Sequence, residues 1–214
     1  MKKISLSQQI KDDIRADKLP VDQLLTQQWL SDHYQVSRIP VRDAIQGLSS
    51  QGWLIAHGKK GVKVPPLNAA QAKELYLMRL PLESLALQLA FEHLSFAVLG
   101  EAEDILAQLA DIANLDPLTQ GKLNWQFHCC LYQLSDKSIL LRTLQQLHEH
   151  SERYLGFQSQ TLQYHHRSEH EHYLLLEALR AKDLDCADGI LKRHIEAAGK
   201  LLVEYFIQLE INPA

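Results

Sequence analysis

The chain is short of several things that would place it in a familiar class. Its 214 residues include only three cysteines, Cys129, Cys130 and Cys186, and none of them stand at C-x-x-C spacing. No disulfide framework is implied, and all three read as buried free thiols of a reducing compartment. No stretch is long and apolar enough to span a bilayer, and the opening "MKKISLSQQIKDDI" lacks the apolar run of a signal peptide. The expected location is the cytoplasm, with no membrane partner. The chain also lacks internal repeats, low-complexity tracts and an overall basic excess, its formal net charge being −4. What is present is an ordinary globular composition, 46% hydrophobic and 22% charged, able to bury a real core.

The net charge hides an asymmetry. Residues 1–66 carry ten Lys/Arg against six Asp, whereas the remainder is acidic. The break falls at "VPPLN", Val64 to Asn68, where two successive prolines cannot continue a helix and favour an extended link. Two domains are expected, residues 1–66 and 67–214, of which only the smaller, basic one suits a polyanion.

Three short helical patterns precede that link. Ile4 to Ala16 is the first; the second runs "QQWLSDHY" behind Thr26 as N-cap; the third follows Ser37 as N-cap. After Gly52 the period drops to two. "WLIA", "HGKKG" and "VKV" read as a strand, a glycine-bounded turn and a second strand. On the third helix, at about 100° per residue, Val41, Ala44, Ile45 and Leu48 gather on a core face. Arg38, Arg42 and Ser49, with Gln46 at the edge, gather beside it. Two guanidiniums four residues apart repel modestly and do nothing for the isolated helix. They suit a recognition helix, because the planar fork of arginine bonds a phosphate or the O6/N7 edge of guanine with two hydrogens. The hairpin, with Lys59 and Lys60 at its tip beside Gly58 and Gly61, reads as a wing. Brace, turn, arginine face and basic wing together point to double-stranded DNA.

At "SRIPVRDA", Ser37 to Ala44, with "QGWL" and the closing "G.KV", the sequence resembles the winged helix of the GntR family of bacterial transcription regulators. The remainder resembles the FCD effector-binding domain of that family's FadR subfamily, at "MRLPLESLALQLA", at Phe127-His128, and at "EHYLLLEALRAKDLDCADGILKRH". Helical patterns follow one another from Ala69 onward: a long stretch broken or kinked at Pro81, then roughly 100–114, 119–134, 137–158, 164–181 and 184–208. The expected fold is therefore mainly α, a winged helix-turn-helix of three helices and a β-hairpin followed by an all-α antiparallel bundle of the shorter, six-helix type.

The resemblance implies more than the fold. Members are usually homodimers on operator palindromes that change grip when a small metabolite binds the C-terminal domain. In the family an aspartate and three histidines hold a divalent metal inside the bundle; by position these are Asn124, His128, His172 and His194. Imidazole nitrogens suit Zn, Ni or similar ions and leave positions open for an effector carboxylate. Asn124 departs from the family, since an amide oxygen brings no negative charge. His170 is the substitute ligand if the register is wrong, and His148, His150, His165 and His166 read as surface residues. Arg79 matches a cavity-facing arginine of the family and could clamp a carboxylate, with Arg153 as a second anchor; a salt bridge to Glu83 or Glu149 is the alternative for both. Tyr76 and Tyr154 would line the pocket or simply pack. An enzyme built in the bundle is disfavoured, because no carboxylate or nucleophile is spaced to act beside the histidines, and the paired Glu-x-x-His motifs of di-iron bundles are missing, Glu169 to His172 occurring once. A DNA-binding protein whose C-terminal part only dimerises is the other alternative.

Overall fold

The computed structural model describes residues 4–19, 21–110, 115–161 and 165–211, in two compact units, Met1–Pro66 and Leu67–Ala214.

The first unit holds α1 (Leu6–Arg15), α2 (Gln27–Tyr34), α3 (Arg38–Ser50), β1 (Ile55–His57) and β2 (Gly61–Lys63). Ser5 caps α1 and Thr26 caps α2, their hydroxyls accepting from the Gln8 and Trp29 amides at 3.2 and 3.0 Å. Ser37 stands at the N-cap of α3, but its hydroxyl makes no cap hydrogen bond, contrary to the sequence reading. The reason is local. An N-cap side chain bonds the amide two or three residues on, and the third residue is Pro40, which has none. Ile10, Leu25, Leu30, Val41, Leu48, Trp53 and Val62 form the core that orients α3. Lys11 and Arg15 of α1 lie over the Trp53 ring at 5.2 and 4.9 Å, so two of the unit's cations serve the fold.

The wing differs from the expected hairpin. Trp53 and Leu54 are both fully buried, a pattern that a strand with one wet face cannot give, and pairing starts only at Ile55. The register pairs Ile55 with Lys63 and His57 with Gly61, leaving Gly58, Lys59 and Lys60 as the turn. A rung comes from the segment before α2. Leu25 N–H donates to the Val62 carbonyl at 2.8 Å, and Val62 N–H donates back at 3.0 Å. Gly61 is required there, because a Cβ would stand 2.4 Å from the Leu25 carbonyl oxygen. Gly61→Ala is expected to cost about 1–3 kcal/mol by forcing this rung apart. Faster amide exchange at Leu25 and Val62, with a lowered unfolding midpoint, checks it.

The second unit is an antiparallel helical bundle: α4 (Ala69–Ala90), α5 (Phe96–Ala110), α6 (Pro117–Tyr132), α7 (Ser138–Thr161), α8 (His165–Arg180) and α9 (Leu184–Ile211). Short 3-10 turns follow α4 and α6, at Phe91–His93 and Gln133–Ser135. Of the break or kink expected at Pro81, the break does not occur, and α4 runs through it. Proline removes the bond to the carbonyl four residues back, here that of Leu77. Pro81 and Leu77 are both on the exposed side, where water can take that carbonyl. α4 packs along α9 and against α6 and α7, and α8 packs against α5 and α9. Cys130 is buried and Cys129 half-buried, but Cys186, in the first turn of α9, is exposed, against expectation.

Candidate functional site

In the first unit, Arg38, Arg42 and Gln46 are exposed on α3 and Ser49 is half-buried one turn further on, while Val41, Ala44 and Leu48 fill the core. Ser37, Lys59 and Lys60 are exposed, and Gly61 is partly covered by its approach to Leu25. Arg38 is not a free-swinging charge. Its Nε donates to Gln28 Oε1 of α2 at 3.1 Å, and its Nη2 donates to the same oxygen. Gln28 in turn donates to both Asp32 carboxylate oxygens at 2.8 and 3.0 Å, which fixes its oxygen toward Arg38. Arg42 leans on Asp43 with a longer contact of 3.3 Å between exposed groups, which holds it weakly. Gln28 was missed in the sequence; its spacing of four from Asp32 was the available signal.

In the second unit the structure brings together three residues from three helices. His128 comes from α6, His172 from α8 and His194 from α9, all buried, and one ring nitrogen of each lies within 4.8 Å of the others. His172 Nε2 and His128 Nε2 are 3.2 Å apart. A tetrahedral zinc with bonds of about 2.0–2.1 Å sets its nitrogen ligands roughly 3.3–3.4 Å apart, so the spacing suits a shared ion. His172 Nδ1 is buried and meets no hydrogen-bond partner among the described residues. Burial, together with the neighbouring imidazoles, pushes His128 and His172 well below the ordinary histidine value, leaving both rings neutral, the form a metal takes.

Partners outside the triad orient two of the rings. His194 Nδ1 lies 2.8 Å from Glu171 Oε2. Burial works to raise the Glu171 pKa, but hydrogen bonds from His194 and Arg167 overcome it and hold the carboxyl at about 2. An ionised Glu171 accepts a hydrogen bond from His194 Nδ1–H, and the neutral ring then carries its lone pair on Nε2, the carboxylate–histidine arrangement common behind metal ligands. Neither Glu171 nor Tyr132, which bonds His128 Nδ1 at 3.2 Å, was singled out from the sequence as a partner. For Tyr132 the position four after His128 was the signal, whereas Glu171 meets His194 only through the packing of α8 on α9.

The other predicted residues fall as follows. Asn124 lies one helical turn before His128 on α6 and is half-buried. His170 is exposed, whereas His172 is buried and meets His128 and His194. His148, read as a surface residue, is buried at 2% exposure and stacks on Trp125 with centroids 4.5 Å apart. Its helix turns that side inward, and an imidazole pairs with an indole face as well as with water. His150 is half-buried, and the side chains of His165 and His166 lie outside those described. Arg79 is 6% exposed and donates from Nε to Glu83 at 2.7 Å, over the Tyr76 ring at 4.8 Å, so the salt bridge exists. Burial opposes its charge, but Glu83, Tyr76 and Tyr132 together outweigh burial and drive its pKa up. Arg153 is half-buried on α7, and burial pulls its pKa down. Tyr154 packs edge-on against Phe206 at 5.3 Å.

Known proteins match both units. Residues 4–64 fit the family model "Bacterial regulatory proteins, gntR family", and residues 74–197 fit the model "FCD domain". The Nta operon transcriptional regulator of Aminobacter aminovorans is 30% identical over 169 residues, 78% of each chain. The HTH-type transcriptional regulator McbR of Escherichia coli K12 is 28% identical over 207 residues, covering 91% of this chain and 93% of that one. A solved structure of E. coli McbR/YncC shares the fold, with a TM-score of 0.76 at 24% identity over 95% of this chain and all of the other.

Proposed function

The chain belongs to the GntR family of bacterial regulatory proteins and carries an FCD domain, and from that premise we propose a cytoplasmic, homodimeric, ligand-responsive regulator that senses a small carboxylate at a metal centre. It is a transcription regulator, as are the relatives it matches. The observation that carries the finer reading is the buried triad of His128, His172 and His194, set for a divalent ion such as zinc or nickel. The ion, when bound, supplies a Lewis-acidic anchor for a carboxylate. His128, His172 and His194 hold it, Asn124 offers an amide oxygen as a fourth ligand, and Arg79 and Arg153 offer positive charge to the effector. Leu77, Met78, Leu85 and Leu89 form an exposed apolar stripe on α4, a face suited to a second copy of the chain.

On DNA, Arg38 and Arg42 read or clamp from the major groove with Gln46, Ser49 and Ser37 beside them, while Lys59 and Lys60 reach backbone around the turn closed by Gly61. The test is selection of a binding sequence from random duplexes, followed by titration of that duplex with and without small carboxylates. A palindromic operator whose affinity shifts with one carboxylate supports the reading. Operator binding that none of them changes would leave a domain that only dimerises.

Asparagine at position 124 makes a further prediction. Asn124→Asp adds a negative ligand and is expected to tighten zinc binding about tenfold or more, whereas Asn124→Ala weakens it. Competition with a chelating dye reads both.

A further inference from the structure

A directed chain of hydrogen bonds runs from the bundle interior to the triad. Arg79 Nε donates to Glu83 Oε1 at 2.7 Å, an ion pair with both side chains buried. Glu83 thus accepts from Arg79 at one carboxylate oxygen, and at the other, Oε2, it accepts the Tyr132 hydroxyl proton at 2.9 Å. A tyrosine has one hydroxyl proton. With it given to Glu83, the Tyr132 oxygen can meet His128 Nδ1, 3.2 Å away, only as an acceptor. His128 must then carry its own proton on Nδ1, and its Nε2 faces His172 and His194 as a lone pair.

We propose that Tyr132, aimed by the Glu83–Arg79 ion pair, is a positioning residue that fixes the tautomer of His128 and so sets the metal affinity of the triad. The inference deepens the metal reading and gives Arg79 a second role, since besides any contact with an effector it holds the carboxylate that holds Tyr132. Every member is buried and lies on α4 or α6, so the arrangement is built in before any ligand arrives. It also supplies a route by which an anion drawn to Arg79 would disturb a ligand of the ion, by competing with Glu83.

The test uses the full-length protein. Nitrogen-15 NMR of the metal-stripped protein, with His128 identified through His128→Gln, shows a protonated Nδ1 and an unprotonated Nε2. In Tyr132→Phe that preference is lost, and the affinity for Zn2+ itself, measured against a chelating dye, falls about 10- to 100-fold, with helical content unchanged by circular dichroism. Protonation of His128 on Nε2 in the wild-type protein would overturn the proposal without any variant. So would a Tyr132→Phe protein that keeps both the tautomer and the zinc affinity. If the wild type binds no zinc, the metal reading fails alone, and the tautomer still decides the role of Tyr132.

Discussion

Glu83→Ala is expected to destabilise the helical unit by about 3–5 kcal/mol. The carboxylate is 2% exposed and the Arg79 side chain 7% exposed. Removing the carboxylate strands a guanidinium in the interior, and arginine cannot shed its proton to escape. Tyr132 loses its acceptor in the same change. The pair itself is a different matter, because desolvation offsets most of its attraction. Arg79→Met combined with Glu83→Leu is therefore expected to recover most of the loss, although Tyr132 would then be without its anchor. Urea unfolding followed by circular dichroism gives both numbers. A single variant as stable as the double one would mean that the charge is not truly buried.

The second large effect is on DNA. Arg38→Ala and Arg42→Ala are each expected to weaken a selected operator by about 1–3 kcal/mol, roughly 5- to 150-fold, and together by more than either. Neither should alter folding beyond about 0.5 kcal/mol, because both side chains are exposed and their partners are at the surface. The two arginines should differ in kind. Arg38 is held by Gln28, which Asp32 fixes in turn, so less freedom is lost when it docks, and Gln28→Ala should weaken binding without touching DNA. A base-reading arginine relaxes the selected sequence at one position when removed. A phosphate-bound one lowers the slope of log affinity against log salt by about 0.9 and leaves the sequence preference intact.

Local rules made much of this legible in advance. Thr26 caps α2 because a hydroxyl two or three residues before a free amide is a local matter, and the apolar rows of α3 report its core face without any knowledge of neighbours. The three histidines were found only through family resemblance, and their meeting point depends on how three helices pack. What stayed illegible was set by other segments. Leu25 adds a rung to the wing from outside the hairpin, which no period-two pattern announces. Pro81 leaves α4 whole because the carbonyl it strands faces water, a fact of burial rather than propensity. His148 is inside because Trp125 on another helix gives it a face to stack on. Glu171 and Tyr132 act on rings whose proton positions are decided by contacts, not by spacing alone.

The measurement that bears most directly on the proposed sensing centre is zinc bound per chain at equilibrium, in the untagged protein and in His128→Ala. One equivalent in the first and none in the second is the expected result, with selection of DNA unaffected by the substitution. No zinc in either protein, or an equal amount in both, would contradict a metal centre at His128, His172 and His194.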